Sequence, residues 1–334
     1  MNSFPDNSAS ILDRVRPVTA PAGVVATHFI GRTAAFVLAE EGVLLVAPEG
    51  PEQRVPAHDG GILAATCDGS RLVTTGDDGA VVSIDGDGTQ QTLATDAKRR
   101  WIDRVALGPD NSIAWCAGKS AYVRTGAGEI KTLELPSAVG GLAFAPKGFR
   151  LAVSHYNGVS LWFPNAAAKP EVFEWKGSHL DVTFSPDGKF IVTAMQEPML
   201  HGWRVADRKH MRMSGYSVKV RSLDWSADGD WLASSGSEQL ILWPFQGKDG
   251  PMGKSPRMLA PRETRVAAVA CHPKLDVTAV GFADGMVLLV RIEDGAEVLA
   301  RKPDGVPVTA MAWSTPGDML AYGTENGDAG ILPV

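Results

Sequence analysis

A short pattern of apolar positions recurs along this chain. An apolar residue is followed three positions later by a second one, and two positions after that by a third. Five clear copies are Ile102/Val105/Leu107, Val139/Leu142/Phe144, Val220/Leu223/Trp225, Val266/Val269/Cys271 and Val308/Met311/Trp313. A sixth copy has His179 in the first place, followed by Val182 and Phe184. The third members stand at positions 107, 144, 184, 225, 271 and 313, so the chain repeats at intervals of 37 to 46 residues.

Each repeat has the pattern of several short strands. Residues 182–188 and 223–229 both give an alternating strand that ends in a tight Asp-Gly turn, and a second β-rich run follows each turn. After a Gly or Asn turn comes a third strand, as at 159–163, 240–243 and 286–290, and in most units a short fourth strand, as at 130–134. Four strands in about 40 residues is the pattern of a β-propeller blade, and no stretch has helical periodicity over a helix length.

The number of repeats predicts how the ring closes. Two weaker units, residues 24–46 and 62–84, precede the six copies and bring the total to eight. The last unit ends after its third strand, and residues 14–18 offer a spare strand that would complete it and cover its edge. We therefore expect an all-β fold: an eight-bladed β-propeller of four-stranded antiparallel blades, closed by an N-terminal strand, with seven blades as the alternative. Residues 1–13 are expected to form a flexible segment and residues 14–334 a single propeller domain.

The turns and strand ends resemble those of the WD-repeat propeller family. The resemblance rests on the turns at 185–188, 226–229 and 77–79, on Leu-Trp at Trp162 and Trp243, and on Trp203 in the matching place. Phe163, Arg204 and Pro244 follow these tryptophans, so the Trp-Asp pair of the family is missing. The resemblance implies a closed propeller, and the missing residues imply an incomplete Asp/His/Ser/Trp hydrogen-bond belt. We expect the blades to be held by apolar packing instead.

Composition and motifs narrow the functional classes. The 334 residues carry a net charge of −6, which disfavours nucleic acid and anionic membrane as partners. The three cysteines at 67, 116 and 271 have no metal-ligand spacing, and no signal peptide or membrane-spanning run is evident, so a cytoplasmic protein is predicted. No nucleophile elbow, P-loop, dinucleotide fingerprint or zinc motif occurs. We therefore predict no catalytic residues, no cofactor and no metal. The alternative is a metal-dependent sensor or propeller enzyme with a site at the central channel mouth, near Asp103, Asp181 and Asp224.

The loops that enter each first strand, and those that join second to third strands, lie on one rim of a propeller, called here the top rim. They are rich in the Arg, Tyr and Trp side chains that dominate protein interfaces. The candidate partner-binding residues are Arg99, Arg100, Trp101, His155, Tyr156, Met199, Tyr216, Lys219, Arg262 and Arg265. The sequence thus predicts a monomeric interaction scaffold or adaptor that binds a protein or peptide partner of acidic character through this rim and performs no chemistry itself.

Overall fold

The computed structural model describes residues 9–40 and 42–334. The first part of the chain forms the strands β1 (Ala9–Ser10), β2 (Arg16–Thr19), β3 (Val24–Ile30), β4 (Thr33–Leu38), β5 (Gly42–Val46), β6 (Gln53–Pro56), β7 (Ile62–Cys67), β8 (Arg71–Gly76), β9 (Ala80–Asp85), β10 (Gln90–Thr95), β11 (Val105–Leu107), β12 (Ile113–Ala117), β13 (Ser120–Arg124) and β14 (Ile130–Glu134). Two short 3-10 helices, Leu12–Arg14 and Pro109–Asn111, lie among them.

The second part continues the same pattern. Its strands are β15 (Gly141–Phe144), β16 (Leu151–Trp162), β17 (Glu171–Phe184), β18 (Phe190–Met195), β19 (Met199–Arg204), β20 (His210–Ser214), β21 (Leu223–Trp225), β22 (Trp231–Ser234), β23 (Leu240–Pro244), β24 (Arg257–Leu259), β25 (Val266–Cys271), β26 (Val277–Phe282), β27 (Val287–Arg291), β28 (Glu297–Arg301), β29 (Val308–Trp313), β30 (Met319–Thr324) and β31 (Asp328–Pro333). The predicted all-β propeller of antiparallel blades is confirmed.

The strands form seven hydrogen-bonded sheets. Four of them are four-stranded: β3–β6, β7–β10, β11–β14 and β21–β24. The sheet β25–β28 carries β1 as a fifth strand, and β29–β31 are completed by β2. The seventh sheet has six strands, β15–β20.

The count of seven sheets agrees with the alternative expectation, and the preferred count of eight separate blades is corrected. The difference lies in the six-stranded sheet, which contains two of the predicted repeat units. The long strand β16 pairs with β15 through residues 151–154 and with β17 from Tyr156 onward. β17 in turn pairs with β16 through its first half and with β18 from His179 onward. Because both strands run on without a break, the two units share one hydrogen-bonded sheet.

The N-terminal strand closes the ring as predicted. β2 pairs antiparallel with β31, from Arg16 opposite Ile331 to Thr19 opposite Asp328. β1 pairs in parallel with β28 through two residues, and the side chains of Ile11 and Val15 pack against the core between the last two sheets. Residues 1–8 of the segment expected to be flexible lie outside the described residues. Residues 9–13 contain β1 and the start of the first 3-10 helix.

Hydrogen-bonded side chains within individual sheets add to the apolar packing between sheets, so the expectation that apolar packing replaces such a network is corrected. His58 Nδ1 donates to Asp78 at 3.0 Å, and its Nε2 lies 2.9 Å from the hydroxyl of Thr74. At the corresponding place in sheet β21–β24, the Tyr216 hydroxyl lies 2.8 Å from that of Ser234 and accepts the indole hydrogen of Trp243 at 2.7 Å. A tyrosine thus occupies a place in the network that a histidine occupies in another sheet.

His201 on β19 is buried, and its ring nitrogens form no hydrogen bond in the described structure. The hydroxyl of Thr193 donates to its carbonyl, just as the hydroxyl of Ser234 donates to the carbonyl of Ile241 in sheet β21–β24. His201 therefore stands where another sheet has an aliphatic side chain. Its ring is stacked on Trp175 with 4.1 Å between ring centroids, and neither ring nitrogen has a hydrogen-bond partner. Burial, reinforced by His210, lowers the pKa of His201 to about 3, so the ring is neutral and acts as an apolar filler.

Candidate partner-binding site at the channel mouth

The first strands of the sheets surround a channel, and several of them contain a β-bulge at its entrance. The pairing register shifts at this point in β3, β7, β17, β25 and β29. In the first three of these strands, the residue that the register skips is Val25, Leu63 or Leu180, and all three line the channel cavity of about 730 Å³. A bulge turns an extra side chain out of the normal alternation. These three residues add apolar side chains to the channel lining at separate places around the ring.

Cationic side chains also line the channel mouth. Lys219 and Arg221, which directly precede β21, line both the channel and an adjoining cavity of about 380 Å³. Arg265, which directly precedes β25, lines the second cavity together with Ser235 and Gly236. The remaining wall is formed by Val218, Val266, Ala267 and Ala283. We call this second space, between sheets β21–β24 and β25–β28, the cationic cavity.

The cations of the cationic cavity have no acidic partner. Its lining contains no carboxylate. Across residues 9–40 and 42–334, none of Lys219, Arg221 and Arg265 forms an ion pair. Arg265 does act at longer range on Glu238, whose pKa is lowered first by a hydrogen bond from Ser217 and to a smaller extent by Arg265. The positive potential of the cavity is thus left mainly for an external anion.

The channel carboxylates that the sequence singled out differ in their surroundings. Asp103 forms an ion pair with Arg104 at 3.4 Å. Among the described residues, the carboxylate of Asp181 accepts one hydrogen bond, from the amide of Val182, and enclosure within the ring of first strands raises its pKa. Asp224 accepts the amide hydrogen of Cys271 at 2.7 Å, and burial raises its pKa to about 6. Its carboxylate ties sheet β21–β24 to the next sheet and is not aimed at a ligand.

The loop before β11 presents Trp101 to solvent on a fixed backbone. The carboxylate of Asp96 accepts the amide hydrogens of Lys98 and Arg100 at 2.9 and 3.1 Å. It also pairs with the guanidinium of Arg100 at 2.6 Å, which lowers the pKa of Asp96 to about 2. Arg99 is exposed with φ of +49°, and the Trp101 side chain is 67% exposed. Asp96 therefore holds the turn that displays Arg99 and Trp101.

The remaining predicted site residues divide into exposed and inward-facing ones. Tyr156 is 57% exposed, while Met199 is half-buried. His155 is buried; its Nδ1 donates to the carbonyl of Tyr156 at 2.9 Å, so Nε2 accepts from the Ser160 hydroxyl at 3.0 Å. Tyr216 is buried in the network with Ser234 described above, and burial raises its pKa. Arg262 forms an ion pair with Glu297.

The structure therefore separates the ten predicted residues by what they contact. Arg99, Trp101, Tyr156, Lys219 and Arg265 remain available to a partner. In contrast, Arg100, His155, Tyr216 and Arg262 are engaged in contacts within the fold, and the tenth residue, Met199, is half-buried.

Arg221 was not among the residues predicted from sequence. The signal that marks it is its place two residues before Leu223, which pairs in the sheet, since the corresponding residues in other first strands line the channel.

The described residues contain no candidate metal site, no disulfide and no membrane-spanning helix. Within residues 9–40 and 42–334, no group of three or more His, Cys, Asp or Glu residues is placed to hold a metal ion. The described thiols of Cys67, Cys116 and Cys271 are unpaired. No helix in the described ranges is long and apolar enough to cross a membrane.

Two models of WD-repeat families match parts of this chain. A model of the anaphase-promoting complex subunit 4 WD40 domain matches residues 269–334, and one of the WD domain, G-beta repeat, matches residues 208–243. THO complex subunit 3 of Arabidopsis thaliana is 23% identical over 60% of this chain and 64% of its own length. A 77 kDa echinoderm microtubule-associated protein of Strongylocentrotus purpuratus is 28% identical over 47% of this chain and 21% of its own length. WD repeat-containing protein 1-B of Xenopus laevis is 31% identical over 22% of this chain and 13% of its own length.

Solved structures agree over nearly the whole chain. The C-terminal WD40 domain of Sif2 superposes with a TM-score of 0.78 and 14% identity, covering 98% of this chain and 99% of that one. The computationally designed Ika8 protein gives a TM-score of 0.75 and 16% identity, covering 95% of this chain and 98% of that one. The repeats, the closed ring and the two matched segments together show a β-propeller with WD-repeat segments at residues 208–243 and 269–334.

Proposed function

We propose that this propeller is an interaction scaffold whose top rim and channel mouth bind a protein or peptide partner of acidic character. WD-repeat propellers generally act as protein-interaction scaffolds without catalysis of their own. The observation that carries the proposal is the cationic cavity, where Lys219, Arg221 and Arg265 stand together without a carboxylate in the lining.

The rest of the rim supports the proposal. Trp101 and Tyr156 expose large aromatic surfaces on loops that hydrogen bonds hold in place, as Asp96 does for Trp101. A surface that is already ordered loses little conformational entropy on binding. Exposed tryptophan, tyrosine and arginine are the side chains that contribute most at protein interfaces. Val25, Leu63 and Leu180 of the channel lining add contacts for apolar side chains of the partner.

The proposal has further parts that follow from charge and cysteine chemistry. The net charge of −6 makes a protein partner more suitable than nucleic acid or an anionic membrane. We include in the proposal a monomeric propeller and a cytoplasmic location, which the unpaired thiols of Cys67, Cys116 and Cys271 support because reducing compartments keep thiols free.

Co-purification from the native host tests this function. The test variant combines Arg99→Glu, Trp101→Ala and Arg265→Glu, and leaves Arg100 unchanged because Arg100 holds Asp96. The control, Lys147→Glu with Lys274→Glu, reverses two exposed cations in turns at the opposite rim. We expect the wild type and the control to retain one stoichiometric protein partner and the test variant to lose it. Retention by the test variant, at wild-type thermal stability, would show that the partner binds elsewhere.

A further inference from the structure

The cationic cavity has a buried hydroxyl group in addition to its cations. Ser235 is 1% exposed, and its Oγ accepts the amide hydrogens of Arg221 and Ser222 at 3.2 and 3.0 Å. Its own hydroxyl hydrogen has no acceptor among the residues that the structure describes. A buried donor without an acceptor is unfavourable unless a ligand or water satisfies it. Ser235 therefore adds a hydrogen-bond donor to the three cations of the lining.

The backbone around this hydroxyl group is firmly fixed. The carbonyl of Gly236 accepts the amide hydrogens of Ser217 and Val218 at 3.0 and 3.2 Å. Its own amide donates to Val266 of the next sheet at 3.1 Å. Gly236 has φ of +95°, and a Cβ there would stand 3.0 Å from the carbonyl oxygen of Val218. The cavity is thus a preformed space between two sheets, and its shape does not depend on a mobile loop.

The number and type of donors favour a phosphoryl group over a carboxylate. A phosphorylated side chain carries a charge of about −1.5 to −2 near neutral pH and has three acceptor oxygens. Lys219, Arg221 and Arg265 supply three positive charges, and guanidinium groups bind phosphate oxygens in pairs. A single carboxylate would neutralise one of these charges. The apolar residues Val218 and Val266 of the same cavity are placed to contact the carbon atoms that carry the phosphate.

We propose that the cationic cavity binds the phosphoryl group of a phosphorylated serine or threonine in an extended partner segment that crosses the channel mouth. This inference rests on the proposed function, since it names the chemistry by which the same rim selects its partner. The phosphorylated residue enters between Arg221 and Arg265, and apolar side chains of the segment contact Val25, Leu63 or Leu180 of the channel lining.

Binding of peptide pools tests the assignment. Three fluorescent pools of random peptides carry at the centre either phosphoserine and phosphothreonine, or serine and threonine, or aspartate, and binding is measured by anisotropy. At about 150 mM salt, where long-range attraction is screened, the wild-type protein should bind the phosphorylated pool at least about tenfold more tightly than either other pool. The variant Arg221→Gln with Arg265→Gln should lose that preference, while the control Lys147→Gln with Lys274→Gln keeps it.

Other outcomes overturn the inference in distinguishable ways. Equal binding of the phosphorylated and aspartate pools would assign the cavity to carboxylates. Competition by inorganic phosphate without any preference for phosphorylated peptides would assign it to a small anion. Partner capture that survives phosphatase treatment of the lysate, yet is lost in the Arg99/Trp101/Arg265 variant, would overturn the phosphoryl assignment and leave the scaffold function standing. Loss of capture on phosphatase treatment supports both.

Discussion

Two regions of the top rim contain the same kinds of residues and use them differently. In the segment from Asp96 to Arg104, each carboxylate is paired with an arginine: Asp96 with Arg100 and Asp103 with Arg104. In the segment from Lys219 to Asp224, the charges are separated. Arg221 faces the cationic cavity without an ion pair in the described structure, while Asp224 is enclosed beside the next sheet and accepts backbone hydrogens. In the first region the charged groups form ion pairs that hold a loop. In the second region the cations remain available to a partner.

The difference is visible in the acidity of the two carboxyl groups. Hydrogen bonding to the Arg100 guanidinium lowers the pKa of Asp96 to about 2, whereas burial without a cation raises the pKa of Asp224 to about 6. One carboxylate therefore stabilises the fold in its charged form, and the other is more favourable when protonated. A cation at an interface is free to bind only where no carboxylate of its own chain has already neutralised it.

The largest expected effect is on the Asp96 side of the comparison. Asp96→Asn removes the charge that holds Arg100 and weakens the turn, and it should lower the free energy of unfolding at pH 7 by about 2 kcal/mol, reduced somewhat because Arg100 is partly exposed. Since the folded pKa lies below the usual value of 3.8, this contribution is present above pH 3.8 and is lost as the pH falls towards 2. Urea unfolding at several pH values measures it. An unchanged midpoint at pH 7 would contradict the assigned role.

Asp224 should show the opposite dependence on pH. Its folded pKa of about 6 lies above the usual 3.8, so the folded protein gains stability as the pH falls from 6 to 3.8 and loses it as the pH rises through 6. Asp224→Asn removes this titration, along with one hydrogen bond at all pH values. Between pH 8 and pH 4, the free energy of unfolding of the wild type should therefore rise by roughly 2 kcal/mol relative to the variant. If the free energies of unfolding of the wild type and the variant change in parallel with pH, the prediction is contradicted and Asp224 is solvated in the folded protein.

The smallest effect on stability is expected at Arg221. Arg221→Ala removes a cation that repels Lys219 and Arg265 and contacts no carboxylate of the described fold. Its free energy of unfolding should stay within about 0.5 kcal/mol of the wild type and rise slightly at low ionic strength, where like charges are least screened. Thermal unfolding at low and high salt tests this. A loss above about 1 kcal/mol would reveal a structural role for Arg221 and remove the contrast with Asp96.

The strand pattern and the ring closure could be predicted because both depend on local signals. Asp-Gly turns between alternating runs mark the hairpins, and the missing fourth strand of the last unit pointed to β2. The joining of two units through β16 and β17 could not be predicted, since nothing in the alternation shows whether a strand is interrupted between two partners.

The candidate site was harder to predict because side chains on one loop face in different directions. Arg100 and Trp101 are neighbours, yet Arg100 is engaged by Asp96 and by the hydroxyl of Tyr122 at 3.0 Å, while Trp101 is free. The residues that engage Tyr216 come from two later strands. Arg221 was missed because its availability depends on which residues line a space between two sheets.

The most direct test of the central claim is the dissociation constant of the co-purified partner for Arg221→Ala with Arg265→Ala, measured beside Lys147→Ala with Lys274→Ala. Both variants remove two positive charges, so the control matches the change in net charge at the opposite rim. We expect a dissociation constant at least about tenfold larger for the first variant, wild-type affinity for the second, and wild-type unfolding for both. Equal effects from the two variants, or none from either, would contradict the claim that the unpaired cations of the channel mouth form the partner-binding surface.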